Sequence, residues 1–248
     1  SKLTGLSRDS VIEGSLHEGD LEQSVDVVVV GSGSGGAVIA AELSEAGQEV
    51  LVLEEGPFVA SDEHAQMRPS QSIRRVWREA AMSAAIGLGD SPVVNVTMGR
   101  LVGGSSALTG GVCFRIPDRV LHSWVNEHGL TELSSKDLEP FHHRVEEHLG
   151  VTEVAKELHS RSLQLFSRGA KVRGIEVKPT RRNIQDCAGI GQCNFGCPKG
   201  AKRSVDRSYL PRAAHHGARV ISDCLAERIL VEGGRAVGVT GRLLRGRK

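Results

Sequence analysis

Charge of one sign is missing from this sequence. Lys and Arg number 31 against 30 Asp and Glu, a formal net charge of +1. That leaves no electrostatic footprint for nucleic acid or for a membrane surface. Long hydrophobic runs are missing too: no stretch of about 18 apolar residues occurs, which excludes a spanning helix. The opening stretch "SKLTGLSRDSVIEGSLHEGD" is polar and lacks the apolar centre of a secretory signal, so a cytoplasmic location is expected. Its first residue is Ser rather than Met, which fits a processed, trimmed or partial chain. Aromatic residues are scarce at 3% while glycines number 30, a balance that suits a loop-rich α/β protein with tight backbone packing. At 248 residues, 39% hydrophobic and 25% charged, the chain is ordinary in composition and long enough for one large domain or two small ones. It holds no internal repeat or low-complexity tract.

Cysteine is also sparse, with five residues and no pattern of a secreted disulfide scaffold. Cys113 and Cys224 stand alone in apolar contexts. Cys187, Cys193 and Cys197 cluster as C-x5-C-x3-C-P. Clustered cysteines in a chain of this size suggest a metal or redox site as readily as a disulfide.

What is present in quantity is glycine, and it is concentrated. "DVVVVGSGSGGAVIAAELSEAGQEVLVLEEG" places Gly31, Gly33, Gly35 and Gly36 directly after a run of valines. Val25–Val30 is β-branched and apolar, as in a buried parallel strand. Ala37, Ala40, Ala41 and Leu43 mark a helix, Gly47 is its stop, and Val50–Leu53 is a second buried strand. This is a βαβ unit with G-x-G-x-x-G at its first turn. The first glycine makes the turn, the second lets a diphosphate touch the backbone, and the third lets helix pack on strand. The diphosphate then rests on the helix N-terminus. Glu54 ends the second strand, where an acid accepts hydrogen bonds from a ribose, and its charge disfavours a 2′-phosphate. The unit alone does not choose between NAD and FAD.

A second Gly/Ser segment follows, "MGRLVGGSSALTGGVCFRIPD", with Gly99, Gly103, Gly104, Ser105, Ser106, Gly110 and Gly111. An extended cofactor needs backbone amides along its length as well as at its diphosphate. The pairing of these two segments resembles the glucose–methanol–choline (GMC) family of FAD-dependent oxidoreductases. There an N-terminal G-S/A-G-x-x-G is followed by G-x-x-x-G-G-S-S-x-x-N-G lying along the flavin. Gly99, Gly103, Gly104, Ser105 and Ser106 stand in register with it; Thr109 stands where the family usually has Asn. The resemblance covers about Val25 to Gly238.

The resemblance implies an α/β fold, an FAD/NAD(P)-binding Rossmann-like doubly wound domain with a helical insertion and a β-meander turning at Gly233-Gly234. The organisation expected from it is an N-terminal extension at 1–24, a first FAD-binding part at 25–115, a helical insertion at 116–180 and an FAD-domain return at 181–248. Leu138, Phe141, Val145 and Leu149 form one apolar stripe in the insertion. The implied FAD contacts are Gly31, Gly33, Ser34, Gly36, Glu54 and Glu55 at the ADP half. Gly99, Arg100, Gly103, Gly104, Ser105, Ser106, Thr109 and Gly110 would lie along the rest, with Ala226 touching adenine through its backbone. Some members carry cysteines at the spacing of Cys187, Cys193 and Cys197, and in certain membrane-linked sugar dehydrogenases these resemble ligands of a three-iron cluster.

The implied activity is FAD-dependent oxidation of a primary or secondary alcohol to an aldehyde or ketone. Alternatives are an iron–sulfur dehydrogenase subunit passing electrons to a cytochrome, or a non-catalytic FAD-binding half. The family's catalytic His, with an Asn or second His, belongs to its C-terminal half. Here the adjacent pairs His142–His143 and His215–His216 face different directions on a helix and read as solvated. No catalytic residue is therefore assigned. The sequence stops at "GRLLRGRK", inside the meander, and looks like the N-terminal half of a GMC enzyme. A small alcohol and a second polypeptide supplying the other half are the expected partners.

Overall fold

The computed structural model describes residues 5–87 and 89–245. These fall into two compact units, residues 5–110 with 191–245 and residues 111–190. The first unit opens with β1 (Val11–Glu13), β2 (Val27–Val30), α1 (Ser34–Glu45), β3 (Val50–Leu53), α2 (Ser61–Gln66) and α3 (Pro69–Val76). A short hairpin of β4 (Ala84–Ile86) and β5 (Val93–Asn95) follows. The second unit holds α4 (Asp118–His128), α5 (Ser135–Leu149), β6 (Thr152–Glu153), α6 (Arg161–Val172) and β7 (Arg181–Arg182). The chain then completes the first unit with α7 (Tyr209–His215), β8 (Arg219–Ser222), β9 (Cys224–Glu232) and β10 (Arg235–Leu243).

The core of the first unit is a parallel sheet in the order β1-β8-β3-β2. The expected first strand begins two residues late, at Val27. Successive strand residues point to opposite faces. Leu51, Leu53 and Ile221 pack with Cys224, Ala226, Val239 and Leu243 of the β9–β10 hairpin. The alternate residues Val50, Val52 and Val220 are buried toward the other face, where α1 packs on β2 and β3 and against α7. Alanines at 37, 40 and 41 are fully buried and keep α1 close to the strands.

Helix α1 stops for a local reason. Gly47 takes a φ of +87°, its N–H donates to Ser44 O, and the Gln48 N–H donates to Leu43 O. This Schellman arrangement satisfies carbonyls that the helix end would orphan. The expected meander is a two-stranded antiparallel hairpin, turning at Gly233 and Gly234 with φ of +55° and +79°. The polar N-terminal segment contributes β1, which extends the sheet by pairing with β8.

In the second unit the four stripe residues lie on α5, where Phe141 is 54% exposed. Arg115 and Arg181 converge on Glu146 of this helix, with Arg115 also donating to Glu139. No helix among the described residues is long and apolar enough to cross a membrane.

Candidate functional site

The glycine turn is built as its spacing demands. Gly31 has φ +91°, a left-handed conformation that disfavours a Cβ. A Cβ at Gly36 would lie 1.9 Å from Gly31 O, so only glycine lets α1 start this close to β2. Gly33 is the N-cap of α1 and makes no side-chain capping bond. The first-turn N–H groups of Ser34, Gly35 and Gly36 are therefore uncapped by it. Around Gly35 the space is open, with nothing within 4 Å of a hypothetical Cβ.

Glu54 is buried at 7% exposure and faces this turn. Its Oε2 accepts from the Ser32 N–H at 2.9 Å and from Ser32 Oγ at 2.7 Å, and its Oε1 accepts from the Gly56 N–H at 2.8 Å. Three of about four carboxylate lone-pair sites are thus used inside the protein. Ser32 does more: its Oγ accepts from the buried Gly103 N–H at 3.0 Å. Glu54, Ser32 and Gly103 form one chain of hydrogen bonds joining the two glycine segments. The segments also touch directly, since a Cβ at Gly104 would lie 2.8 Å from Gly33 Cα. Sequence reasoning passed over Ser32, because the middle residue of G-x-G is nominally free.

The second segment is a 3-10 turn, Gly104–Leu108, entered through Gly103 at φ +95°. Ser105 Oγ accepts from the Gly99 N–H at 2.9 Å, and Ser106 Oγ donates to Gly103 O at 2.7 Å. Both hydroxyls thus shape the turn itself. Thr109 Oγ1 lies 3.4 Å from Ser106 O. A Cβ at Gly110 would come no nearer than 3.9 Å to Asn194 Oδ1. Arg100 lies beside Glu55 at 3.7 Å, and Arg78 donates to Glu55 at 2.6 Å. Arg100 Nε is buried with no protein acceptor. A buried guanidinium N–H without a partner is costly. Ala226 sits on β9 with its side chain against the sheet.

Among the described residues, cavities open on two sides of this unit. One, of about 910 Å³, is lined by Glu55, Phe58, Arg74, Arg75, Arg100 and Asp223 among others. Burial pushes the Asp223 carboxyl up from its ordinary value. The other, of about 760 Å³, lies on the hairpin side of the sheet, and neither cavity is lined by the glycines 31–36. The open N-terminus of α1, the bare glycine backbone and the unpartnered Arg100 donor fit an anionic, extended dinucleotide.

All five cysteines are free thiols. Cys187 belongs to the second unit, and Cys193 and Cys197 to the first. Among the described residues no group of three or more His, Cys, Asp or Glu is placed to hold a metal ion. The cysteine loop packs instead on His64 of α2: a Cβ at Gly196 would lie 2.0 Å from His64 Nδ1. Burial lowers the His64 pKa, and Nδ1 has no partner. His142 and His143 are on α5, and His215 and His216 close α7.

Residues 25–247 match the profile of the GMC oxidoreductase family. An uncharacterised GMC-type oxidoreductase of Mycobacterium tuberculosis is 39% identical over 217 residues, covering 88% of this chain and 34% of that protein. A long-chain-alcohol oxidase of Arabidopsis thaliana is 34% identical over 209 residues, covering 84% of this chain and 27% of its own length. The crystal structure of pyridoxine 4-oxidase from "Mesorbium loti" superposes with a TM-score of 0.64 at 20% identity, over 87% of this chain and 45% of that one, which establishes the shared fold. The chain thus spans about a third of the length of these curated relatives. A family match over nearly every residue agrees with a fold whose two glycine segments meet at one helix N-terminus: this chain belongs to the GMC oxidoreductase family.

Proposed function

We propose that this chain is the FAD-binding part of a flavoenzyme that oxidises an alcohol to an aldehyde or ketone. One observation carries this reading, the hydrogen-bonded chain Glu54–Ser32–Gly103 that joins the two glycine segments. The first segment suits the diphosphate of any dinucleotide, and the second, joined to it, offers backbone along the rest of an extended cofactor. Gly31, Gly33, Ser34 and Gly36 would hold the diphosphate on backbone amides at the α1 N-terminus. The remaining lone pair of Glu54 would accept from the ribose. Arg100, whose Nε lacks a protein acceptor, would donate to the cofactor, and Glu55 would orient that arginine. Gly99, Gly103, Gly104, Ser105, Ser106, Thr109 and Gly110 would line the path toward the flavin, with the Ala226 backbone beside adenine. FAD, when bound, supplies the acceptor for the hydride of the alcohol carbon; the protein supplies position and electrostatics. The Arabidopsis relative supports an alcohol donor. Completion by a second polypeptide is part of the proposal, and the relatives extend beyond the part matched here.

An iron–sulfur cluster on Cys187, Cys193 and Cys197, passing electrons to a cytochrome, is a separate proposal supported by their spacing alone. One experiment addresses both. Purified chain is titrated with FAD and with NAD while the visible spectrum is recorded. A structured flavin band with FAD, and no tight NAD binding, is expected. Tight NAD binding without flavin uptake would overturn the reading. Broad absorbance together with protein-bound iron and sulfide is needed for the cluster; their absence from anaerobically purified protein removes it. Gly33→Val, which puts a side chain where the diphosphate must touch backbone, should abolish FAD uptake.

A further inference from the structure

Lys202 is only 1% exposed, the bulkiest of the fully buried side chains. A lysine is seldom buried this completely unless its charge is met. Its Nζ donates to Ala107 O at 2.8 Å, Thr109 O at 2.8 Å and Cys193 O at 2.7 Å. Three carbonyls match the three donors of an ammonium. Two of those carbonyls belong to the second glycine segment, and the third to the cysteine loop.

The residues after Lys202 brace the same segment. The Val205 N–H donates to Ser106 Oγ at 3.1 Å. Asp206 packs on the entry glycine, since a Cβ at Gly103 would lie 3.0 Å from Asp206 Cβ. Residues 202–206 thus form a scaffold behind residues 103–109. The peptide plane couples each carbonyl to the next N–H in the opposite sense. With the carbonyls of Ala107 and Thr109 drawn onto Lys202, the N–H groups of Leu108 and Gly110 are aimed away from it.

We propose that Lys202 is a positioning residue for the flavin half of the cofactor: its ammonium fixes the Gly104–Thr109 segment by gathering three carbonyls, and ties that segment to the loop of Cys193. This rests on the FAD reading above. The three carbonyls gathered by Lys202 lie outside the glycine turn of α1 and Glu54, which would hold the ADP half, so the two halves of the cofactor should respond differently to its loss.

The test compares FAD with ADP, a probe of the ADP half alone. Lys202→Met keeps the stem and removes the donors. It is expected to weaken FAD binding by roughly tenfold or more, the scale of a lost charge-assisted hydrogen bond, with ADP affinity unchanged. Lys202→Arg keeps the charge, but its planar fork cannot present three donors from one point, so a smaller loss in the same sense is expected. This second variant decides the matter if Lys202→Met does not fold. Unchanged FAD affinity, or equal losses for FAD and ADP, would overturn the positioning role. Wild-type chain that binds ADP but not FAD would overturn the FAD reading itself, and this role with it.

Discussion

At the scale of single residues, the site divides into positions that need no side chain and positions that need a particular one. Gly31 and Gly36 were legible because a missing Cβ is itself a signal: one is demanded by a turn and the other by a contact, while Gly33 is left for the proposed diphosphate. Glu54 was singled out as the acid ending the second strand of a βαβ unit, and the structure shows it accepting from Ser32 and Gly56 within the protein. Ser32 and Lys202 were not legible. A serine between two glycines carries no local signal, and a lysine in "CPKGAKRS" reads as solvated from its charge. Both gain their roles only when distant segments meet. Ser32→Ala tests this. It leaves the buried Gly103 N–H without an acceptor, at a cost of about 1–3 kcal/mol. A lower melting temperature and weaker FAD binding are expected together, because the same hydroxyl serves the fold and the meeting of the two segments. An unchanged melting temperature would mean that Gly103 finds another acceptor.

At the scale of elements, periodicity and end signals did most of the work. The βαβ unit and the Gly233-Gly234 hairpin were readable from local sequence, since each is closed by its own turn chemistry. Strand β1 was not, because Val11–Glu13 is three residues in a polar stretch and becomes a strand only by pairing with β8, some 200 residues away. The second unit holds a contact of shorter reach, Glu146 of α5 with Arg115 and Arg181, 31 and 35 residues away. The hydrogen bonds from Arg115, followed by those from Arg181, lower the Glu146 pKa from 4.5 to about 2. A carboxyl depressed in the folded state binds fewer protons there than in the unfolded state. Its stabilisation is therefore present above pH 4.5 and is lost as pH falls from 4.5 toward 2. Trp124 lies on α4 in this unit, so its fluorescence in a Trp77→Phe background should report a transition across that window. Glu146→Gln should flatten the pH dependence. A transition of the same size in the variant would assign it to other carboxyls.

At the scale of the whole molecule, the sheet ends on the strand that leads into the glycine turn. The strand carrying the glycine turn, β2, is an edge of the sheet, and Val30 at its end is 55% exposed. An unpaired edge beside a cofactor turn is a template for one more strand. The chain covers 34% and 27% of the lengths of its Mycobacterium and Arabidopsis relatives. The adjacent histidine pairs sit on α5 and at the end of α7, away from the glycine segments in sequence. A positioned general base typically contributes about 10²–10⁴-fold to such a proton transfer. The FAD-loaded chain alone should therefore not be reduced by alcohols. Anaerobic mixing with short-chain, long-chain and sterol alcohols, followed at the flavin band, is the measurement. No bleaching is expected with the chain alone, and bleaching is expected once a second polypeptide supplying the remaining length is added. Bleaching by the chain alone would reveal a base within these 248 residues, and His215 and His216 would be the first side chains to replace. Bleaching only in the mixture would assign the cofactor to this chain and the proton transfer to its partner.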